Sequence, residues 1–403
     1  MTNLQQGWEV KKLGDIAEIQ IGKTPSRNNI DFFQGENIWL SIRDLKSKFV
    51  SSSSEKISNE AISKTNMKVV PKGTLLMSFK LTLGKTAFTE CDLYTNEAIA
   101  AIFIKNKNIN KYFLDYVLKF TDLEKYVDNA VKGKTLNKQK LKQIEIPLPP
   151  LKEQERIVGI LDESFAKIDE SIKILEQDLL NLDELMQSAL QKAFNPLKDN
   201  TKENYKLPQG WEWKSLGEIG EIITGTTPSK NNPNFYGNEY PLFKPSDLNG
   251  DMIIKYASDN LSKLGFDNAR NLPKDTILVV CIGASIGKVG LSGVNGSCNQ
   301  QINAIIPNSA FTSKYLFFVC LSNYFQTILK KNASQTTLPI INKTEFSKLQ
   351  IPLPPLKEQE QIASHLDELS SHVKNLKQNY QAQIKDLQEL KKSLLDKAFK
   401  GNL

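Results

Sequence analysis

Two polar segments carry the side chains best suited to grip an anionic polymer: Gly22-Lys-Thr-Pro-Ser-Arg-Asn-Asn29 and Gly225-Thr-Thr-Pro-Ser-Lys-Asn-Asn232. Short hydroxyl and amide groups make hydrogen bonds at close range, and one or two cations add charge, so such loops suit phosphate and base-edge contacts. The candidates here are Lys23, Thr24, Ser26, Arg27, Asn28, Asn29, Thr226, Thr227, Ser229, Lys230 and Asn231. A proline-containing turn after a strand would have the same composition, and recurrence of the loop favours the functional reading. Arg43, after a strand, and Lys80, Lys85, Lys134, Lys244, Lys288 and Gln300 complete the set. Arginine is confined to Arg27, Arg43, Arg156 and Arg270, so a reader built here leans on Lys, Asn and Gln more than on Arg forks to guanine.

Catalytic chemistry is scarce by comparison. Cys91, Cys281, Cys298 and Cys320 are scattered without a CxxC, and His365 and His372 are the only imidazoles, so neither a zinc site nor histidine base catalysis is expected. Gly283-Ala-Ser-Ile-Gly-Lys-Val289 is one residue short of a P-loop and has Val where Ser or Thr binds magnesium; it reads as a turn with a useful lysine. Glu9-Val-Lys11 and Glu212-Trp-Lys214 spell half of a nuclease motif without the upstream metal ligands. Neither a methyltransferase tetrapeptide nor G-x-G-x-x-G is present. No catalytic or metal-binding residue is therefore assigned.

The elements that must position the loops follow from charge and repetition. The net charge of +7 is uneven: residues 1–145 carry 23 Lys+Arg against 16 Asp+Glu, 146–200 carry 6 against 11, 201–350 carry 15 against 11, and 351–403 carry 8 against 7. Two basic blocks alternate with acidic or neutral ones, as when two modules face a polyanion. At 403 residues the chain is long enough for two to four domains, and it has no run of about 18 apolar residues and no basic-then-apolar leader, so a cytoplasmic protein without membrane spans is expected.

The chain is a tandem repeat. Gly7 to Asn29 recurs as Gly210 to Asn232 with 15 of 23 positions identical, and Ile146-Pro-Leu-Pro-Pro-Leu-Lys-Glu-Gln-Glu155 recurs unchanged at 351–360. Strands are expected at 15–21, 38–41, 74–79 and 98–104 in the first copy and at 218–224, 276–282 and 302–306 in the second, with helices near 111–131 and 313–331. The middles, 30–70 and 233–272, diverge most and read as loops or surface elements free to differ in what they contact.

Each copy closes on a Pro-Leu-Pro-Pro segment, expected to exclude a strand or helix interior, with Glu153 and Glu155 in the first turn of a following helix. Val158, Leu161, Phe165, Ile168, Ile172, Leu175, Leu179 and Leu182 then fall at alternating steps of three and four, a heptad seam that Met186, Ala189 and Ala193 continue to Asn195-Pro196. In the second copy Ile362, Leu366, Leu369, Val373, Leu376 and Tyr380 keep the spacing until a stutter before Ile384, and Gly401-Asn402 ends the helix. Neither seam can be buried alone, so the two helices pair with each other, antiparallel by connectivity. A rod from Val158 to Ala193 spans about 54 Å with one module at each end.

Gly-Trp-Glu-x-x-x-Leu-Gly-[Asp/Glu]-Ile, the Gly-x-Thr-Pro-Ser loop and Ile-Pro-Leu-Pro-Pro-Leu-x-Glu-Gln before a long helix, all repeated once, resemble the specificity subunit of type I restriction-modification systems across essentially the whole chain. The resemblance implies a mixed α/β (α+β) fold: target recognition domain 1 over 1–145, a first helical spacer over 146–198, target recognition domain 2 over 199–350 and a second spacer over 351–403, with a pseudo-two-fold tandem repeat. It implies a non-catalytic chain that binds double-stranded DNA, one half of a bipartite, asymmetric target per domain, with the antiparallel coiled coil setting the spacer. Two modification (methyltransferase) subunits would dock on the helices, for which Lys152, Glu155, Lys357 and Glu360 are candidates, and restriction subunits would join them. S-adenosylmethionine, ATP and magnesium would belong to those partners, with no cofactor on this chain. A coiled-coil adaptor for protein partners, or a restriction enzyme acting alone, are the other readings the sequence leaves open.

Overall fold

The computed structural model describes residues 7–127, 136–194, 207–334 and 338–403. Asn195-Pro196, the expected helix stop, and the expected boundary at 198/199 lie outside them. The chain forms two units, Met1–Ile174 with Gln383–Leu403, and Leu175–Ala382. Each therefore joins one α/β module to part of both long helices, Leu151–Phe194 and Leu356–Phe399.

In the first unit a five-stranded sheet runs in the order Ala17–Ile21, Ile99–Ile104, Leu75–Ser78, Thr86–Thr89, Phe49–Val50. Its central strands are apolar on both faces because both are covered. Leu75, Met77, Ala100 and Ile102 face the core under the helices, while Leu76, Ile99 and Ala101 face a second core. A three-stranded sheet, Glu55–Ile57, Asn37–Leu40 and Tyr94–Thr95, is built largely from the divergent middle. The second unit repeats the five-stranded order as Ile222–Thr224, Ile302–Ile305, Ile277–Val280, Val289–Ser292, Ile253–Ile254. Its other sheet runs Asp259–Leu261, Tyr236–Phe243, Gly296–Cys298, Asn271–Leu272, one strand more than in the first unit. The middles thus differ in sequence but contribute equivalent strands, rather than loops alone.

Several elements differ from their expected bounds. The strands expected from 15 and 218 begin only after one helical turn, Leu13–Ile16 and Leu216–Ile219, because Asp15 and Glu218 bond back to the N–H of Lys12 and Ser215. The helix expected over 111–131 stops at Phe120, and that over 313–331 is broken at Ser322, whose hydroxyl caps the next helix at the Phe325 N–H. The Pro-Leu-Pro-Pro segments do enter strands: Pro147 and Pro352 lie in two-stranded ribbons opposite Val10 and Trp213. An edge ribbon tolerates a residue with no N–H. Glu153 lies in the first helical turn, whereas Glu155 begins the second.

The helices pair antiparallel within each unit. In the first, Arg156 reaches the Leu403 carbonyl at 2.8 Å while Lys391 pairs with Asp169, farther along one helix and farther back on the other. In the second, Lys377 pairs with Asp183, and Leu190 and Phe194 share a core with Ala363 and Leu366. Val158, Leu161, Ile168 and Leu182 are buried, and Phe165, Ile172, Leu175 and Leu179 half-buried, as the heptad requires. On the second helix Ile362, Leu366, Leu369, Val373 and Tyr380 follow suit, but Leu376 is 40% exposed. The seam instead steps from Val373 to Lys377, Tyr380, Ile384, Leu387, Lys391 and Leu394, so the stutter falls earlier than expected. Lysine stems cover the seam while their heads reach aspartates.

Besides the apolar core that helix and module share, a buried glutamine fastens each helix to its module. Gln154, 1% exposed, accepts from the Asn110 N–H at 2.8 Å and donates to the carbonyls of Asn108 at 3.1 Å and Pro149 at 2.8 Å. Gln359 repeats this with the Thr312 N–H at 3.0 Å and the Pro354 carbonyl at 2.9 Å. Asp162 adds bonds from Tyr116 at 2.6 Å and Lys48 at 2.9 Å, and its repeat counterpart Asp367 pairs with Lys314.

Candidate nucleic-acid interface

The repeated loops leave the sheet at one defined end. Ile21 pairs with Ala100 and Ser78 with Ile99, so the loop after Ile21 and the turn after Ser78 emerge together beside the start of Ile99–Ile104. Thr224 with Asn303 and Val280 with Ile302 reproduce this in the second unit. The loop glycine is required by close approach: a Cβ on Gly22 would lie 2.0 Å from the Thr95 carbonyl oxygen, and one on Gly225 2.2 Å from that of Asn299.

The threonine before the loop proline ties each loop down. Thr24 donates to the Glu97 carboxylate, and Thr227 bonds Gln300 at 2.7 Å. Lys23 is exposed but tied back along the surface, its Nζ donating to the carbonyls of Thr65 at 2.9 Å and Asn66 at 3.1 Å. Thr226 accepts from the Arg270 N–H at 3.2 Å. Asn29 accepts from the Asp31 N–H at 3.2 Å and so caps a short 3-10 turn. Ser26, Asn28, Ser229 and Asn231 remain exposed.

The cations converge on carboxylates that sequence reading missed. Arg27 forks onto Glu55, Nη1 to Oε1 at 2.5 Å and Nη2 to Oε2 at 3.0 Å, and Arg43 reaches the same carboxylate at 2.7 Å. The Arg27 guanidinium also lies 4.3 Å from the Phe33 ring centroid and 5.2 Å from that of Trp39. In the second unit Lys244 pairs with Asp259, and Lys230 approaches the same carboxylate at 3.9 Å. Asp44 accepts from the Ser54 N–H and Asp247 from the Ser258 N–H, so Glu55 and Asp259, one residue farther on, are counterparts. The hydrogen bond from Arg27 holds Glu55 below the usual carboxylate range, and Lys244 does the same to Asp259. Arg27, Arg43 and Lys230 keep half or more of their side-chain surface exposed, so these forks are held in place yet open to solvent.

Lys80, Lys85 and Lys288 fall around this end. Lys80 and Lys85 flank the turn after Phe79, with Lys85 exposed. Lys288 is exposed on the corresponding turn and donates to the Pro245 carbonyl at 3.2 Å. Lys134 lies outside the described residues. Lys152, Glu155, Lys357 and Glu360 are exposed near the helix starts. The Glu-x-Lys pairs are ion pairs along ribbon strands, Glu9 with Lys11 at 2.7 Å and Glu212 with Lys214 at 3.1 Å. Among the described residues no group of His, Cys, Asp and Glu could hold a metal ion, and no helix is long and apolar enough to cross a membrane.

Comparison with known proteins gives a consistent result. A model of the type I restriction modification DNA specificity domain matches residues 5–179 and 208–386. The MjaIX specificity subunit of a type I restriction enzyme from Methanocaldococcus jannaschii is 25% identical over 99% of this chain and 94% of its own length. The HindI specificity subunit of Haemophilus influenzae is 33% identical over 49% of this chain and 42% of its own. Among solved structures, a chain from work on complex assembly and conformational transition in the type I R-M system superposes with a TM-score of 0.81 at 22% identity over 100% of both chains. The HsdS subunit from Thermoanaerobacter tengcongensis gives 0.60 at 22% identity over 99% of this chain and 98% of its own.

Proposed function

The chain belongs to the family of type I restriction modification DNA specificity domains, and from that premise we propose that it is a non-catalytic specificity subunit whose two modules each read one half of a bipartite DNA site. The observation that carries this is the twinned site: at the same sheet end of each module, a repeated loop and a divergent middle supply two cations to one carboxylate. Arg27, Glu55 and Arg43 make it in one module, Lys230, Asp259 and Lys244 in the other. Cations fixed by a carboxylate keep donors free for phosphates and base edges at little entropic cost. The different chemistry of the two sites supports unlike half-sites and hence an asymmetric target.

In this reading the paired helices set a spacer that the protein does not read and dock two modification subunits, with Lys152, Glu155, Lys357 and Glu360 among the contacts, and restriction subunits join that complex. S-adenosylmethionine, ATP and magnesium belong to those partners, and none is bound by this chain. The test uses the chain assembled with its modification subunits and two double variants, Arg27→Ala/Arg43→Ala and Lys230→Ala/Lys244→Ala. Each is expected to lose discrimination at one half-site by about 10-fold or more and to keep it at the other. Uniform weakening on every DNA by both variants would reduce the sites to phosphate clamps and contradict the reading.

A further inference from the structure

The turn between Leu75–Ser78 and Thr86–Thr89 holds a bulky residue in an unfavourable conformation. Leu81 has φ of +61° and is 76% exposed. A left-handed backbone is rare for a large side chain, and such a conformation persists only where the surroundings impose it. Here they do. Ser78, fully buried, donates its hydroxyl to the Thr82 carbonyl at 2.6 Å and accepts from the Lys85 N–H at 3.0 Å, while the Gly84 N–H bonds the Ser78 carbonyl at 3.0 Å. The turn is closed from inside, and its apolar tip is left in water.

The other module supplies the contrast. Phe79 and Cys281 occupy the same place, each N–H bonding the residue before the opposing strand, Ala98 or Gln301. Two residues on from each stand Leu81 and Gly283, and Gly283 has φ of +92°. The second module therefore puts a glycine where the backbone calls for one, and the first puts a leucine there with no packing to gain. The turn emerges beside the loop that begins at Gly22, and Lys80 and Lys85 flank the leucine.

We propose that Leu81 is a specificity-determining residue of the first module, held rigid so that its side chain meets the apolar surface of the base stack in one half-site. Leucine does this either against a thymine methyl group or as a wedge at a base step. The inference rests on the DNA-reading role proposed above.

The test compares the wild-type chain with Leu81→Gly and Leu81→Ala, each assembled with its modification subunits, on DNA carrying the recognised site. Leu81→Gly is expected to leave the melting temperature unchanged or higher, since glycine suits the left-handed backbone. It is expected to weaken binding at least about fivefold, through one half-site only. Replacing thymine by uracil at that half-site weakens the wild type but not the variant if the contact is a methyl group. A 2-aminopurine probe brightens with the wild type but not the variant if it is a wedge. Wild-type affinity in Leu81→Gly would overturn the inference, as would loss of subunit assembly, which would place the leucine against a protein. A wild-type complex with no sequence preference would instead overturn the DNA-reading role, and this inference with it.

Discussion

The side-chain oxygen of Gln154 accepts the backbone N–H of Asn110 at 2.8 Å, so the first turn of a long helix is locked to the N-cap of a module helix. The same amide satisfies two carbonyls, those of Asn108 and Pro149, and nothing of it is left for water. Removing it strands the buried Pro149 carbonyl and leaves the half-buried Asn110 N–H and the Asn108 carbonyl without their partner. Gln154→Leu is therefore expected to destabilise the chain by about 3 kcal/mol, read as the shift in urea midpoint, while Lys152→Ala, at an exposed position, changes it by less than about 0.5 kcal/mol. Equal shifts would show that the amide network carries no stability.

The seam lysines lead to a second expectation. Lys377 and Lys391 are only 29% and 23% exposed, but their partners Asp183 and Asp169 are 66% and 64% exposed. Ion pairs this open to solvent couple weakly, about 0.2–1 kcal/mol, and weaken with salt. A double-mutant cycle on Asp169 and Lys391 is expected to fall in that range. Lys391→Leu is expected to leave the melting temperature within a few degrees of wild type or raise it, because the stem already occupies the seam; a large drop would show that the charge, not the stem, holds the helices.

Glu55 gives a pH-dependent expectation. Its carboxyl is held below its ordinary value of 4.5 by Arg27, so its contribution to stability is complete above that range and is lost as the pH falls through the lowered value. The difference in urea midpoint between wild type and Glu55→Gln is expected to be present at neutral pH and to vanish in strong acid. The same variant frees two arginines, so binding to random DNA is expected to tighten, with the log-log salt slope steeper by about one to two.

Thiol reactivity separates the four cysteines. Burial pushes Cys281 and Cys298 up to about 12 and moves Cys320 in the same direction, whereas Cys91 is partly exposed. An aromatic disulfide reagent is expected to titrate a single thiol promptly in the native chain, lost in Cys91→Ser, and all four only in denaturant. Fast reaction of two or more would mean that the second module opens readily.

Much of this was legible in the sequence because repetition marked it. The loops at Gly22 and Gly225, the long helices and the first seam could be placed from spacing alone. Leu376 misled because a count of apolar residues ignores the lysine stems at 377 and 391, which cover the seam as well as leucine does. Glu55 and Asp259 escaped because they lie in the middles, where the copies share strands but not residues, and each meets its cations only through non-local pairing. Gln154 and Gln359 left a signal that went unread: an uncharged residue among charged ones, kept in an identical ten-residue segment at the start of each helix.

Reading of one DNA site in two halves, by two unlike modules on one chain, leaves its mark in the modified sequence. Its most direct test is methylome sequencing of a methylation-free host that expresses this chain with its modification subunit. The expected result is a single motif of two short, different base runs separated by a fixed unread spacer, methylated once on each strand and absent when the chain is omitted. A contiguous or palindromic motif, or the same methylation without this chain, would contradict it.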